Sequence, residues 1–360
     1  MDLHGSPAPM KSALSTFHLP SLDGFRAISI GIVFAAHAGW GHLVPGGLGV
    51  TIFFFLSGFL ISSLLRREYA RSESVNIKNF YIRRAIRILP LFYITLTAAG
   101  ILAATGVLPG SISTKGMLAL GLHLGNYVQI FFPEYAIPQG SGVYWSLAVE
   151  EHYYLTFPFL AVLLLRAKSR SLSAWTLAGL AFAVLGWRIF LVQRGAPEIR
   201  TYYASDTRVD SILWGALLAF CMNPKLDPPP AHAEKLRLPL LTLSAGLTLF
   251  SLVYRDETFR ETFRYTIQGV ALLPVFYYAV SAPERLPFRW LNGRIISYVG
   301  ALSYTLYLVH HLAIYAVGKQ LSQWPLVFQA LVALGISLAL AALSYRFLEG
   351  PLAKVRKKYN

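Results

Sequence analysis

Cysteine is nearly absent from this chain. Cys221 is the single one in 360 residues, so no intramolecular disulfide can form, and no zinc or iron–sulfur ligand spacing appears. Charge is also scarce. Asp, Glu, Lys and Arg make up 14% of the residues, against roughly 25% in soluble domains, which excludes an ordinary water-exposed fold. Acids are the scarcer sign, with 17 Asp and Glu against 32 Lys and Arg. The N-terminus lacks a basic stretch followed by a short apolar core and a small-residue cleavage site, so no cleaved signal peptide is expected. No internal repeat is visible, which removes the inverted-repeat signature of many secondary transporters.

What is there is apolar. Hydrophobic residues make up 55% of the chain and mean hydropathy is +0.51. Apolar runs recur along nearly the whole length. The expected fold is all-α: a polytopic integral-membrane helical bundle. About ten transmembrane helices are predicted, near 22–40, 47–65, 88–107, 143–165, 172–193, 207–223, 237–254, 262–281, 295–317 and 325–347. Residues 115–131 are ambiguous, being apolar but interrupted by Gly121, His123, Gly125 and Asn126. The basic loops at 66–87, 166–170, 225–237 and 285–294 fall on one side with the basic tail if 115–131 dips in and returns. Both termini are then cytoplasmic. A full crossing there would invert every later loop. The net charge of +15 follows from these loops and helix ends, so a lipid bilayer is the expected partner and nucleic acid is not. The predicted organisation is a flexible tail at 1–20, one membrane domain at 21–351 and a basic tail at 352–360.

Several residues within this apolar chain are costly where they stand. The stretch LDGFRAISIGIVFAAH carries Arg26 and His37 eleven positions apart. At about 100° and 1.5 Å per residue they share one helix face, about 16 Å apart. A neutral imidazole there can take a proton from a hydroxyl, although an isolated His is more often a buried structural group. Arg26 needs an anion or carbonyls as partner, or else anchors a helix end. Arg83, Arg84 and Arg87 in KNFYIRRAIRILP form a compact patch at a helix start. Such a patch suits phosphate, or simple anchoring to anionic lipid. Glu150 and Glu151 in WSLAVEEHYY are adjacent acids two turns into a span. Pointing about 100° apart, they serve different partners. One is expected to orient His37, as a carboxylate orients imidazole in a Ser-His-Asp triad, and the other to pair with Arg26 or Arg208. Ser57 and Gly58 put small residues on one face of the second span, for close helix packing or for room beside a ligand. His310 and His311 lack the i,i+4 spacing of a helical metal pair, so no metal is expected. His310 reads as a hydrogen-bonding residue of helix packing.

These stretches resemble acyltransferase family 3 of integral-membrane acyltransferases. The likeness runs from Leu22 to Pro351 and includes, in order, LDGFRAISIGIVFAAH, GVTIFFFLSGFLI, FYIRRAIRILPLFY, YWSLAVEEHYYLTFP, ALSYTLYLVHH and SYRFLEGP. The resemblance implies a membrane O-acyltransferase of the bacterial inner membrane. It would move an acyl group, most simply acetyl, from acyl-CoA (acetyl-CoA) to a hydroxyl of a surface polysaccharide, lipid-linked glycan or glycosylated metabolite. It implies catalysis by His37 with Glu150 or Glu151. It also implies substrate binding by Arg26, Arg83, Arg84, Arg87 and Arg208, with Ser57 and Gly58 giving room for the acyl-pantetheine arm. Acyl-CoA is then a co-substrate, and no bound cofactor is expected. Thr51 stands where the family often has an acid, and His152 where it commonly has Gln. The rival readings are a multi-span transporter of an anion or acylated lipid, since carriers also use intramembrane Arg, His and Glu, and a scaffold whose arginines bind only lipid.

Overall fold

A computed structural model of the protein describes residues 19–359, so nearly all of the expected tail at 1–20 lies outside the described residues. Sixteen α-helices follow in chain order: α1 (Leu22–Ala35), α2 (Gly46–Ser72), α3 (Ile77–Ala104), α4 (Thr114–Gly121), α5 (Gly125–Phe131), α6 (Trp145–Arg166), α7 (Arg170–Gln193), α8 (Glu198–Tyr203), α9 (Ser205–Arg208), α10 (Asp210–Cys221), α11 (Ala233–Val253), α12 (Glu257–Glu261), α13 (Phe263–Ser281), α14 (Arg294–Gln320), α15 (Leu326–Ser344) and α16 (Gly350–Arg356). No strand occurs among the described residues. Side chains at four N-caps satisfy orphan amides: Asn76 accepts from Asn79, Ser113 from Gly116, Ser169 from Leu172 and Asp256 from Phe259. Two helices end in widened π-turns, α1 at Ala36–Trp40 and α15 at Tyr345–Glu349.

Each expected span overlaps a helix, but 207–223 is divided between α9 and α10, and α10 has only 12 residues. Five are long and apolar enough to cross a membrane by length and composition: α2, α3, α7, α11 and the continuous Leu326–Tyr359 segment that contains α15. The remainder are shorter, more charged or less apolar. Residues 115–131 form two short helices of eight and seven residues. They break at His123, whose φ is 55°. At about 1.5 Å per residue neither can cross a core of about 30 Å.

The bundle is arranged around α2. Of its apolar window 72% is buried, against 11% for α11, so α2 is the inner helix and α11 a peripheral one. Phe54, Phe55, Phe59 and Ile61 on α2 are fully buried in the main core. Its neighbour α10 approaches backbone to backbone. A Cβ on Gly58 would sit 1.9 Å from the Ile212 carbonyl oxygen, and one on Gly215 would sit 1.9 Å from that of Phe55. Only glycine permits this approach at both positions.

Two charge clusters tie the helices together. Arg188 on α7 and Asp210 on α10 are both fully buried and joined bidentately at 2.8 Å. Arg188 also donates to the carbonyls of Thr207 and Thr262 and to Thr266 Oγ1, and Thr266 donates to Asp210. The second cluster is centred on Asp227, in the loop after α10. It accepts from Arg66 at 2.8 and 2.9 Å, from Arg170 at 3.0 Å and from the Asn223 amide at 2.7 Å. Burial alone would raise the Asp227 carboxyl, but the bonds from Arg66 and Asn223 and the charge of Arg170 hold it below its ordinary value.

Gly58→Ala is expected to lower stability by about 1–3 kcal/mol, read as a lower thermal midpoint of the detergent-solubilised protein. Gly31→Ala, with open space around it, should leave the midpoint in place. Because the folded Asp227 pKa is depressed, its contribution is present at neutral pH and is lost as pH falls below about 3.9 and through the folded value. Asp227→Asn should therefore destabilise at pH 7, with the gap from the unaltered protein closing on acidification.

Candidate active site

Two clefts meet inside the bundle. The first is lined by Arg26 of α1, Ser57 of α2, Arg84 and Arg87 of α3, and Glu150 and Glu151 of α6. Glu150 is held on both oxygens. Ser57 donates to Oε1 at 3.0 Å and Tyr154 donates to Oε2 at 2.9 Å. Arg84 lies over the Tyr154 ring, 4.8 Å from its centroid, and 5.9 Å from that of Phe80. Cations, acids and a serine therefore gather around one space.

The second cleft is lined by His37, Gln129, Trp145, Tyr202, Tyr203 and His311, among others. His37 sits in the π-turn that closes α1, where Gly39 takes a φ of 109°. Such turns re-aim a side chain relative to a regular helix and recur at functional sites. His37 Nδ1 lies 3.0 Å from His310 Nε2, and its ring stacks on His311 at 4.3 Å. His310 Nδ1 lies 2.8 Å from the Tyr307 carbonyl and 3.1 Å from that of Leu306. Carbonyls only accept, so Nδ1 of His310 carries the proton. In the neutral ring Nε2 is then an acceptor, and His37 must donate from Nδ1. That leaves the lone pair of a neutral His37 on Nε2.

The expected His37–Glu150 pair is not formed. The acid is engaged by Ser57 and Tyr154 in the first cleft, while the imidazole is oriented by His310. Neither acid pairs with Arg26 or Arg208. Arg26 pairs with Asp23, three residues before it. Arg208 is fully buried in an aromatic cage, 3.8 Å from the Tyr265 ring centroid and 5.0 Å from that of Tyr202. Its longer contacts are Thr51 Oγ1 at 3.4 Å and the Tyr202 carbonyl at 3.3 Å, and its Nε has no partner. Gly58 faces α10 and lines neither cleft, so its smallness serves packing. Arg83 is turned out of the cleft as well. It donates to Glu68 at 2.8 Å and to the Tyr359 carbonyl at 2.6 Å. His152 bonds Ser205 at 2.6 Å and stacks on Tyr127, away from His37.

Val50 and Tyr307 line both clefts. The Tyr307 hydroxyl lies 2.6 Å from Ser146 Oγ and donates to the Val143 carbonyl at 2.9 Å. Sequence reasoning missed this shared wall and the part played by His311. The available signal was the YLVHH run, in which Tyr307, His310 and His311 lie within five residues. Gly140 helps set this wall. With a φ of 88° it lies against the His311–Leu312 backbone, where a Cβ would meet Leu312 N at 2.8 Å. Among the described residues no three His, Cys, Asp or Glu side chains converge as metal ligands.

The arrangement compares with known proteins as follows. The acyltransferase domain family matches residues 19–346. The peptidoglycan O-acetyltransferase OatA of Listeria monocytogenes is 29% identical over 348 residues, covering 94% of this chain and 56% of that protein. A putative O-acetyltransferase of Staphylococcus aureus strain COL is 31% identical over 359 residues, covering 94% of this chain and 58% of that protein. The O-acetyltransferase OatA of Staphylococcus aureus strain NCTC 8325 is 30% identical over 358 residues, covering 96% and 59%. The chain thus spans less than three-fifths of the length of the curated relatives it matches. No solved structure matches. With the family matched across nearly the whole helical bundle, the chain belongs to the acyltransferase domain family, and five of its described helices are long and apolar enough to cross a membrane.

Proposed function

We propose that this domain moves an acetyl group from acetyl-CoA to a hydroxyl of a glycan in a bacterial cell membrane. The observation that carries this reading is the pair of clefts sharing Val50 and Tyr307, one lined by arginines and the other by an oriented imidazole. Guanidinium groups match phosphate oxygens, so the donor enters beside Arg84 and Arg87 and its thioester lies under Tyr307. Positive residues favour the cytoplasmic side, which puts the arginine end where acyl-CoA is made and both termini inside. The acceptor then approaches at His37. A glycan acceptor follows from the name of the Listeria relative, and its hydroxyl suits an O-acyl product. The carrier and scaffold readings give way to the family match.

In the reaction, Nε2 of His37 takes the acceptor's hydroxyl proton as the oxygen attacks the thioester carbonyl. The tetrahedral intermediate collapses, the C–S bond breaks and the thiolate leaves. The proton held on His37 returns to sulfur, so acyl-thioester plus alcohol gives ester plus thiol. His310 holds the tautomer and supports the imidazolium during attack, the part assigned to a carboxylate in a triad. Glu150 and Glu151 act from the donor side. There they balance the arginine charge and, through Ser57 and Tyr154, hold the wall along which the pantetheine arm lies. Arg208 supports the acceptor side through Tyr202 and Trp145.

Acetyl transfer from labelled acetyl-CoA to glycan in membranes tests the reading. His37→Ala should lower kcat by about 10²–10⁴-fold, and normal turnover in that variant overturns the chemistry. Arg84→Ala should raise the KM for acetyl-CoA more than it lowers kcat. His310→Ala should lower kcat roughly 10²-fold. His310→Gln, whose side-chain oxygen can accept from His37 Nδ1, should recover part of that loss, and equal loss in both variants removes the tautomer argument.

A further inference from the structure

Beside the donor cleft lies another that the reaction above does not use. It opens between α1, α3, α14 and α16, with a volume of about 310 Å³, at the lower end of the range of small-ligand pockets. Arg26, Arg87, Ser303 and Tyr304 line it and the donor cleft alike, so the two form one bent cavity. Glu349 and Arg356, from the C-terminal segment, complete the new arm. The π-turn at Tyr345–Glu349 carries the chain off α15, and α16 then packs against α3.

The charges in this arm are unevenly engaged. Asp23 and Arg26 pair with each other, and Glu349 accepts from Thr305 at 2.6 Å. Arg83, close by, is held by Glu68 and the Tyr359 carbonyl. Arg87 and Arg356 are half-buried, yet neither makes a hydrogen bond or an ion pair within 4.0 Å among the described residues. They lie near enough to repel each other, and both lie near the carboxylate of Glu349. One carboxylate near two guanidinium groups with free donors leaves an excess of positive charge around one partly dry space, which a bound anion offsets.

We propose that this arm binds the phosphorylated nucleotide end of the donor, with Arg356 and Arg87 on its phosphate oxygens, while the pantetheine arm turns at Arg26 and Tyr304 into the donor cleft. The assignment rests on acyl-CoA being the donor. It makes the C-terminal segment part of the substrate site and gives Arg356 a binding role. It also divides the arginines of the FYIRRAIRILP stretch, with Arg83 holding the tail in place and Arg87 facing the phosphates. A phosphate group could also come from an anionic lipid, so the test separates the two sources.

Purified protein in phosphatidylcholine nanodiscs is assayed with acetyl-CoA and with S-acetylpantetheine, which lacks the nucleotide. Arg356→Gln should raise the KM for acetyl-CoA by about tenfold or more and leave kcat and the S-acetylpantetheine kinetics within about twofold. Arg356→Lys should fall between the two. Equal losses with both donors mean a structural role and overturn the proposal, as does no loss with either. An effect seen only when phosphatidylglycerol is added assigns the site to lipid and also overturns it. Failure of the unaltered protein to use either donor defeats the acyl-CoA reading itself, and this assignment with it.

Discussion

The backbone contact between α2 and α10 is the constraint on which the rest of the molecule depends. Gly58 lies against Ile212 and Gly215 against Phe55, so the two helices close to a distance that any side chain would prevent. With one face of α2 fixed in this way, its other face, bearing Val50, Phe53 and Ser57, becomes the floor of the clefts. Behind α10 the Arg188–Asp210 pair locks α7 and α13 to the same unit. Removing one partner of such a buried pair leaves an uncompensated charge, at about 3–5 kcal/mol. Both devices act away from the clefts and hold their walls in register.

The cations divide by how fully they are engaged. Arg188, Arg66, Arg83 and Arg200 each have an acidic partner, and each joins segments distant in sequence or pins a loop. Arg84, Arg87 and Arg356 line the clefts without an ion pair within 4.0 Å, although Glu150 and Glu151 lie near Arg84, and Glu349 near Arg87 and Arg356. A chain with so few acids cannot pair every arginine. Which ones remain unpaired is set by the fold, and three of them line a single bent cavity.

Much of the architecture was legible. Alternation of apolar runs with basic loops located every helix that could serve as a span, and the Gly121–Asn126 interruption marked where α4 and α5 separate. Arg84 and Arg87 of the arginine patch share one cleft with Glu150 and Glu151, whereas one of the acids was expected beside His37. What the sequence could not supply was depth. Trp145 begins α6 and lines the His37 cleft, while Glu150 lies five residues further on, about 7.5 Å along the helix. That offset moves the acid to the level of Ser57 and Arg84 and leaves His37 to His310. Rotation was hidden as well. Arg83 and Arg84 differ by one position, about 100°, and so face the tail and the cleft respectively. His310 and His311 diverge by the same angle, yet His37 lies between them and touches both. The carboxylate was the natural complement for an imidazole by residue type, and only the packed helices show a second imidazole in its place.

Val50 and Tyr307, common to both clefts, have an electrical consequence. Where two hydrated vestibules approach from opposite faces of a bilayer, the voltage falls mainly across whatever separates them. Each elementary charge crossing that barrier gains or loses about 2.3 kcal/mol per 100 mV. The two clefts here share Tyr307, whose hydroxyl donates to the Val143 carbonyl and lies 2.6 Å from Ser146 Oγ. Under the proposed orientation and reaction, the negative charge on a thioester carbonyl oxygen beside Tyr307 would develop within that drop, and turnover would respond to the membrane voltage.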